Sequence, residues 1–164
     1  MTGLNDYEIR FDAIEFFQQR IEQNKNNLCV LTGETGSGKS MAALDFAQRL
    51  DPAFTIDQCV FKIEDFLDQI MDLKPGRAIV FDEAAIDFDS RRSGSTKNVE
   101  FSNLLKVFRY MNLSVFMTLP NLMMLDKNAR RLMHFHGTMA GIDRKTNMAK
   151  MHLFIVDSHK TWDD

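Results

Sequence analysis

Short unbroken apolar runs alternate along this chain with stretches in which apolar side chains return every three or four residues. Ile9, Phe11, Ile14, Phe17 and Ile21 recur at helical spacing and predict an amphipathic helix from Tyr7 to about Gln23. Asn24 to Asn27 breaks it, and Leu28-Cys29-Val30-Leu31 is the continuous run of a strand buried on both faces of a parallel sheet. After a glycine-rich segment, a helix over Met41 to Leu50 turns Ala42, Ala43, Phe46 and Leu50 inward and ends at Asp51-Pro52. Cys59 to Ile63 predicts a second strand, followed by a helix with Phe66, Ile70 and Leu73 on one face, the Pro75-Gly76 turn, and a strand over Arg77 to Phe81. Asp89 to Asn98 is polar, contains Gly94 and lacks apolar periodicity, so it reads as a loop. Val99 to Met111 returns to helix, with Phe101, Leu104, Leu105 and Phe108 on the core face. A strand over Leu113 to Thr118 stops at Pro120, and Asp126 to Leu132 is helical. Phe135 to Ile142 and Met148 to Val156 form a strand pair joined by a turn at Asp143 to Asn147. Strands alternating with helices specify an α/β fold with a mainly parallel central sheet flanked by helices, here closed by a C-terminal strand pair.

Composition narrows this little. The 164 residues suit one domain over 1–164. With 45% hydrophobic and 26% charged residues, the chain resembles an ordinary globular protein. Its apolar runs fall far short of the ~20 residues of a membrane span. Cys29 and Cys59 both sit in apolar strand contexts and read as small hydrophobes, which points to a reducing, cytoplasmic setting. The net charge of -3 does not advertise nucleic-acid binding. Its distribution is uneven, however: Lys127, Arg130, Arg131, Arg144, Lys145, Lys150 and Lys160 with all four histidines crowd the last part of the chain. A solvated surface and a phosphate-tracking patch explain that equally well.

The sharpest signal is Gly33-Glu34-Thr35-Gly36-Ser37-Gly38-Lys39-Ser40, placed between an apolar run and a helix as a phosphate-binding loop requires. Glycines let successive N–H groups turn toward phosphate oxygens, aided by the positive end of the helix that starts near Met41. Lys39 supplies charge to the β- and γ-phosphates, and the Ser40 hydroxyl is a Mg²⁺ ligand. Residues Gly33 to Met41 are therefore the expected nucleotide contacts, with ATP favoured over GTP.

A second signal is Ala78-Ile79-Val80-Phe81-Asp82-Glu83, an apolar strand ending in two carboxylates where open α/β sheets place their ligands. Asp82 is placed to hold Mg²⁺ alongside Ser40. Glu83 is placed to orient or deprotonate an attacking water, which argues for hydrolysis over a small-molecule kinase.

Together the two motifs resemble the ASCE division of P-loop ATPases, in which a catalytic glutamate follows the metal aspartate and an extra strand lies between the phosphate-loop strand and the aspartate strand. Leu113 to Thr118 would be that strand. From about Leu28 to Asp157 the order of elements is similar to FtsK- and HerA-type DNA-pumping motors and to Zot-like and viral packaging ATPases, within a RecA/FtsK-like fold. The resemblance is carried by Gly33 to Ser40, Ile79 to Glu83, Phe108-Arg109, Thr118-x-Pro120 and the segment from Arg131 to Arg144. Those motors commonly place a glutamine where this chain has Thr118, whose hydroxyl is the substitute donor to the γ-phosphate or the water. The resemblance implies assembly with itself, a hexameric ring being one form, and double-stranded DNA as a further partner.

A ring motor also implies an arginine acting across subunits. Arg109, at a helix end, is the first candidate and Arg131 the second, with Arg130 and Arg144 behind them. The segment Arg91 to Lys97 suits a lid or pore loop touching phosphates, although such loops are more often plain connections. His134 and His136 lack a third metal ligand and read as strand residues. The leading expectation is a Mg²⁺-dependent ATPase of the ring-motor kind; the alternative is an ATP-switched adaptor or assembly ATPase with slow hydrolysis and a protein partner.

Overall fold

The computed structural model describes residues 12–84, 103, 108, 110–125 and 127–156. They form α1 (Ala13–Glu22), β1 (Asn27–Thr32), α2 (Lys39–Leu50), β2 (Cys59–Val60), α3 (Ile63–Asp72), β3 (Ala78–Phe81), β4 (Ser114–Leu119), α4 (Lys127–Arg131), β5 (Phe135–Asp143) and β6 (Met148–Ile155). Single 3-10 turns sit at Ile56–Gln58 and Leu122–Met124. The strands make one sheet in the order β2-β3-β4-β1-β5-β6. Every neighbouring pair is parallel except β5 with β6, which is the expected α/β plan with its C-terminal antiparallel pair.

Strands β1, β3 and β4 are buried at every position, which is why they read as unbroken apolar runs. Their alternation divides the core between two faces. Leu28, Val30, Ile79, Phe81, Val115 and Met117 meet Ile63, Phe66 and Ile70 of α3, with Phe108 and Ala129 of α4. Cys29, Leu31, Ala78, Val80 and Phe116 meet Phe17 of α1 and Ala43 and Ala47 of α2. Phe17 anchors the second face, edge-on to Phe135 with centroids 4.4 Å apart and to Phe46 and Phe116 at 5.7 and 5.9 Å. Such pairs add about 0.5–1.5 kcal/mol beyond their buried area.

Two polar clamps tie the end of the sheet opposite the glycine-rich loop, where the central strands begin. Buried Asn27 donates from Nδ2 to the Phe17 carbonyl at 3.1 Å and to Ser114 Oγ at 3.0 Å, joining α1, β1 and β4. Buried Asp51, the C-cap of α2, accepts from Arg77 Nε at 2.6 Å, the Ala78 N–H at 3.1 Å, the Ala53 N–H at 3.0 Å and Gln58 Nε2 at 3.3 Å. Burial pushes the Asp51 carboxyl up, yet these hydrogen bonds, that from Arg77 foremost, hold it below the usual carboxylate value.

Two expectations need correction. The strand expected over Cys59–Ile63 is only Cys59–Val60, because Ile63 joins Phe66 and Ile70 in one buried helical stripe and so starts α3. Helix α2 begins at Lys39, not Met41, since left-handed Gly38 is its N-cap. Ala42, Ala43, Phe46 and Leu50 face the core as expected, Ala43 fully buried together with Ala47 and the other three partly buried against the same cluster. The N-terminal helix runs from an Asp12 cap that accepts from the Ile14 and Glu15 N–H groups, its expected start at Tyr7 lying outside the described residues. Asp89–Asn98 and most of Val99–Met111 lie outside them too, apart from helical Asn103, buried, helical Phe108, and Tyr110 and Met111, which are already past the helix. Cys29 and Cys59 are free thiols, both pushed up by burial. No helix among the described residues is long and apolar enough to cross a membrane.

Candidate active site

Because β4 lies between β1 and β3, three strand ends converge on one rim of the sheet. The register sets Leu31 beside Thr118 and Phe81 beside Met117, so the glycine-rich loop after β1 and the two carboxylates after β3 flank the end of β4.

The loop is shaped by what glycine permits. Gly38 has φ +93°, and a Cβ there would lie 2.9 Å from Ala149 Cβ of β6. At Gly33 a Cβ would lie 2.9 Å from both Met139 Cβ of β5 and Ser37 Oγ. The C-terminal strand pair therefore packs directly on the loop, and the loop follows a path that side chains would block. Within it the Ser37 N–H donates to the Glu34 carbonyl at 3.2 Å. Lys39 Nζ reaches back to the carbonyls of Gly33 at 2.9 Å and Glu34 at 2.7 Å, which holds its ammonium over the loop. The buried Ser37 hydroxyl has no hydrogen-bond partner among the described residues.

The carboxylates are held as tightly. Asp82 is buried, and its N–H continues the sheet by donating to the Val60 carbonyl at 2.9 Å. Its Oδ1 accepts two hydroxyl protons, from Ser40 Oγ at 2.8 Å and Thr118 Oγ1 at 2.5 Å. Thr118 Oγ1 in turn accepts from the Glu83 N–H at 2.9 Å. Glu83 has φ +51°, a left-handed conformation that costs a residue with a side chain about 1–2 kcal/mol, and the Thr118 contact helps to hold it. Asp82 is felt beyond its own strand: after burial, its charge is the second cause raising the Cys59 thiol on β2.

A cleft of about 450 Å³ is lined by Thr35, Gly36 and the Gly38–Met41 segment, with Ile142 of β5 close to Gly38, and by Glu83, Thr118, Leu119 and Pro120. Residues expected to bind nucleotide thus share one cleft with the expected base Glu83 and the metal hydroxyl Ser40, behind which Asp82 is hydrogen-bonded. Thr118 departs in one respect from its expected role as a donor to phosphate or water: its single proton is directed at Asp82. Arg131 is exposed on α4 and does not line the cleft, while Arg109 and the Arg91–Lys97 segment lie outside the described residues. His134 Nδ1 accepts from the Leu28 N–H at 3.1 Å, and His136 Nε2 lies 2.8 Å from Thr32 Oγ1, so both tie β5 to β1. No three metal-ligating side chains cluster among the described residues. Sequence reasoning missed Ile142, Met139 and Ala149, whose approach to the loop depends on a long-range strand pairing with no local signature.

Sequence comparison is silent: no family model and no curated protein matches the chain. Solved structures do match. The N-terminal domain of zonular occludens toxin from Neisseria meningitidis aligns over 82% of this chain and 86% of its own, with a TM-score of 0.52 and 20% identity. A DNA polymerase III gamma subunit-related protein from Thermotoga maritima aligns over 82% of this chain and 48% of its own, with a TM-score of 0.60 and 10% identity. The chain has the P-loop NTPase fold. The Thermotoga maritima RuvB Holliday junction branch migration motor shares it, with a TM-score of 0.51 and 18% identity over 74% of this chain and 39% of that one. The chain thus spans less than half the length of the last two. At these identities the likeness is one of fold.

Proposed function

We propose that this protein is a Mg²⁺-dependent ATPase that assembles with itself into a ring and moves double-stranded DNA. The observation that carries the ATPase reading is the hydrogen-bonded set Ser40, Asp82, Thr118 and Glu83, which joins the end of the glycine-rich loop to the residues after β3 beside one cleft. The loop N–H groups and Lys39 bind the phosphates, and the orphaned Ser37 hydroxyl fits the same task. A hydroxyl and a carboxylate 2.8 Å apart form the hard-oxygen pair that Mg²⁺ takes when phosphate and water complete its shell. Ser40 and Asp82 would hold that ion, which when bound neutralises charge on the phosphates. Glu83, exposed at the lip of the cleft, accepts the proton of the attacking water, and Thr118 holds Asp82 and Glu83 in register.

The motor reading has other support. The order of elements is similar to that of FtsK- and HerA-type motors, and RuvB, which shares the fold, is described as a branch migration motor. Arg109, and after it Arg131, is the proposed cation supplied to a neighbour's phosphate. ATP turnover measured with and without double-stranded DNA tests the whole proposal. Strong stimulation is expected; slow turnover indifferent to DNA would leave an ATP-switched adaptor, and no turnover in a folded protein would remove the ATPase.

A further inference from the structure

Strands β2 and β6 are the two free edges of the sheet, and their surfaces are opposite in charge. Beside β2, the turn at Ile56–Gln58 and helix α3 enclose a second cleft of about 590 Å³, separate from the phosphate loop. Its wall carries Asp57, Asp65 and Asp68 beside Ile56 and Phe61, apolar side chains that are 68% and 57% exposed. At the other edge, the stretch from Arg144 to Ile155 contains Arg144, Lys145 and Lys150 and not one acidic residue. It exposes Met148, Phe154 and Ile155 to 66%, 54% and 55%. Lys150 already pairs with Asp143 at 2.9 Å, which leaves Arg144 and Lys145 as the cations of the β5–β6 turn.

We infer that the basic, apolar β6 edge of one copy docks into the acidic, apolar cleft beside β2 of the next. This rests on the self-assembly reading above and names its surface. Each edge alone is an open apolar and charged patch; apposed, the two cover their apolar side chains and match their charges. A contact between two different patches repeats from copy to copy and closes into a ring when the rotation allows. Strands β2 and β5 run in the same direction, so the β5–β6 turn and Phe61 lie on the same rim as the phosphate loop. Docking would bring Arg144 and Lys145 of one copy to the strand next to β3, which ends in Asp82 and Glu83 of the other. A DNA backbone would accept the cations, but it would leave Met148, Phe154 and Ile155 uncovered and make no use of the acidic cleft.

Two charge-reversed forms of the full chain test this by sedimentation over a range of concentrations: Arg144→Glu with Lys145→Glu, and Asp65→Lys with Asp68→Lys. Neither pair touches the nucleotide cleft, and circular dichroism checks folding. In each form alone both faces of the contact carry the same sign, so association should weaken ~10-fold or more. An equal mixture should associate again, since each form then presents the charge that the other's opposite edge requires. Association unchanged in both forms would overturn this interface and leave ring assembly standing on another surface. Loss of DNA retention by Arg144→Glu with Lys145→Glu, with assembly unchanged, would make the β6 edge a DNA surface instead. Wild-type protein that stays monomeric while hydrolysing ATP would remove ring and interface together. Rescue by mixing in a protein without turnover would keep the interface and remove the ATPase.

Discussion

Thr118 donates its one hydroxyl proton to Asp82 Oδ1 over 2.5 Å, while its own Oγ1 accepts the N–H of Glu83 at 2.9 Å. The end of the inserted strand therefore fixes both residues of the Asp-Glu pair. Thr118→Val keeps the shape and removes both contacts, leaving a buried carboxylate one donor short and an N–H without its acceptor. A loss of about 1–3 kcal/mol in stability is expected. Turnover should fall while ATP affinity holds, and Thr118→Ser should restore most of it. A valine form with wild-type turnover at every Mg²⁺ concentration would show that Thr118 positions nothing.

Glu83→Gln keeps the N–H to Thr118 but cannot take up a proton. Hydrolysis should drop by ~10²–10⁴-fold with nucleotide still bound, the range for loss of a general base. Single-turnover measurement with prebound ATP separates this from a binding defect, and unchanged turnover would move the role to another residue.

Among the described residues, Lys39 Nζ donates to the Gly33 and Glu34 carbonyls of its own loop. Lys39→Ala should thus leave the thermal midpoint within a few degrees of wild type and abolish ATP binding, read by fluorescent-nucleotide titration. Retained affinity in a folded variant would refute the phosphate-loop reading.

At the end of the sheet opposite the glycine-rich loop, Asp51 offers a test of folding alone. Its folded carboxyl lies below the ordinary value of ~3.9, so it binds protons less readily than in the unfolded chain. The stability this contributes is present above pH ~4 and is lost as the pH falls through the lowered folded value. Asp51→Asn should cost about 1–3 kcal/mol at pH 7, because Arg77 and the Ala78 N–H lose a charged acceptor. Urea unfolding at pH 7 and pH 3 should find that gap narrowing in acid. An equal gap at both values would mean that Asp51 is not held low.

Much of this was legible because the chemistry and the strands are local in sequence. Leu28 to Leu31 and Ala78 to Phe81 are buried on both faces and so appear as unbroken apolar runs, each followed at once by its functional residues. The position of β4 between them came from the resemblance, since nothing in Leu113 to Thr118 states its neighbours. The second strand was misjudged because Phe61 and Ile63 alternate like strand residues, while the helical partners of Ile63, three and seven positions on, outweigh that pattern. Asp51 was read only as a helix stop; its partner Arg77 lies 26 positions away, and no spacing announces that bond. The loop's dependence on Met139 and Ala149 was hidden for the same reason.

That last dependence can be tested by separating two penalties at Gly38. Any side chain there must adopt φ +93°, and its Cβ must also come within 2.9 Å of Ala149 Cβ. Gly38→Ala should therefore both strain the N-cap of α2 and push β6 off the loop, lowering ATP affinity and stability together. Combining it with Ala149→Gly removes the clash and leaves the backbone penalty, about 1–2 kcal/mol. The double variant should recover part of the lost stability, and its ATP affinity should rise with it if the strand pair braces the loop. Ala149→Gly alone lacks the clash and should bind ATP almost normally. Calorimetric titration with ATP on all three, beside their unfolding curves, distinguishes the outcomes. A double variant no better than Gly38→Ala would mean that the left-handed backbone alone demands glycine, and that β6 gives way without consequence for the loop.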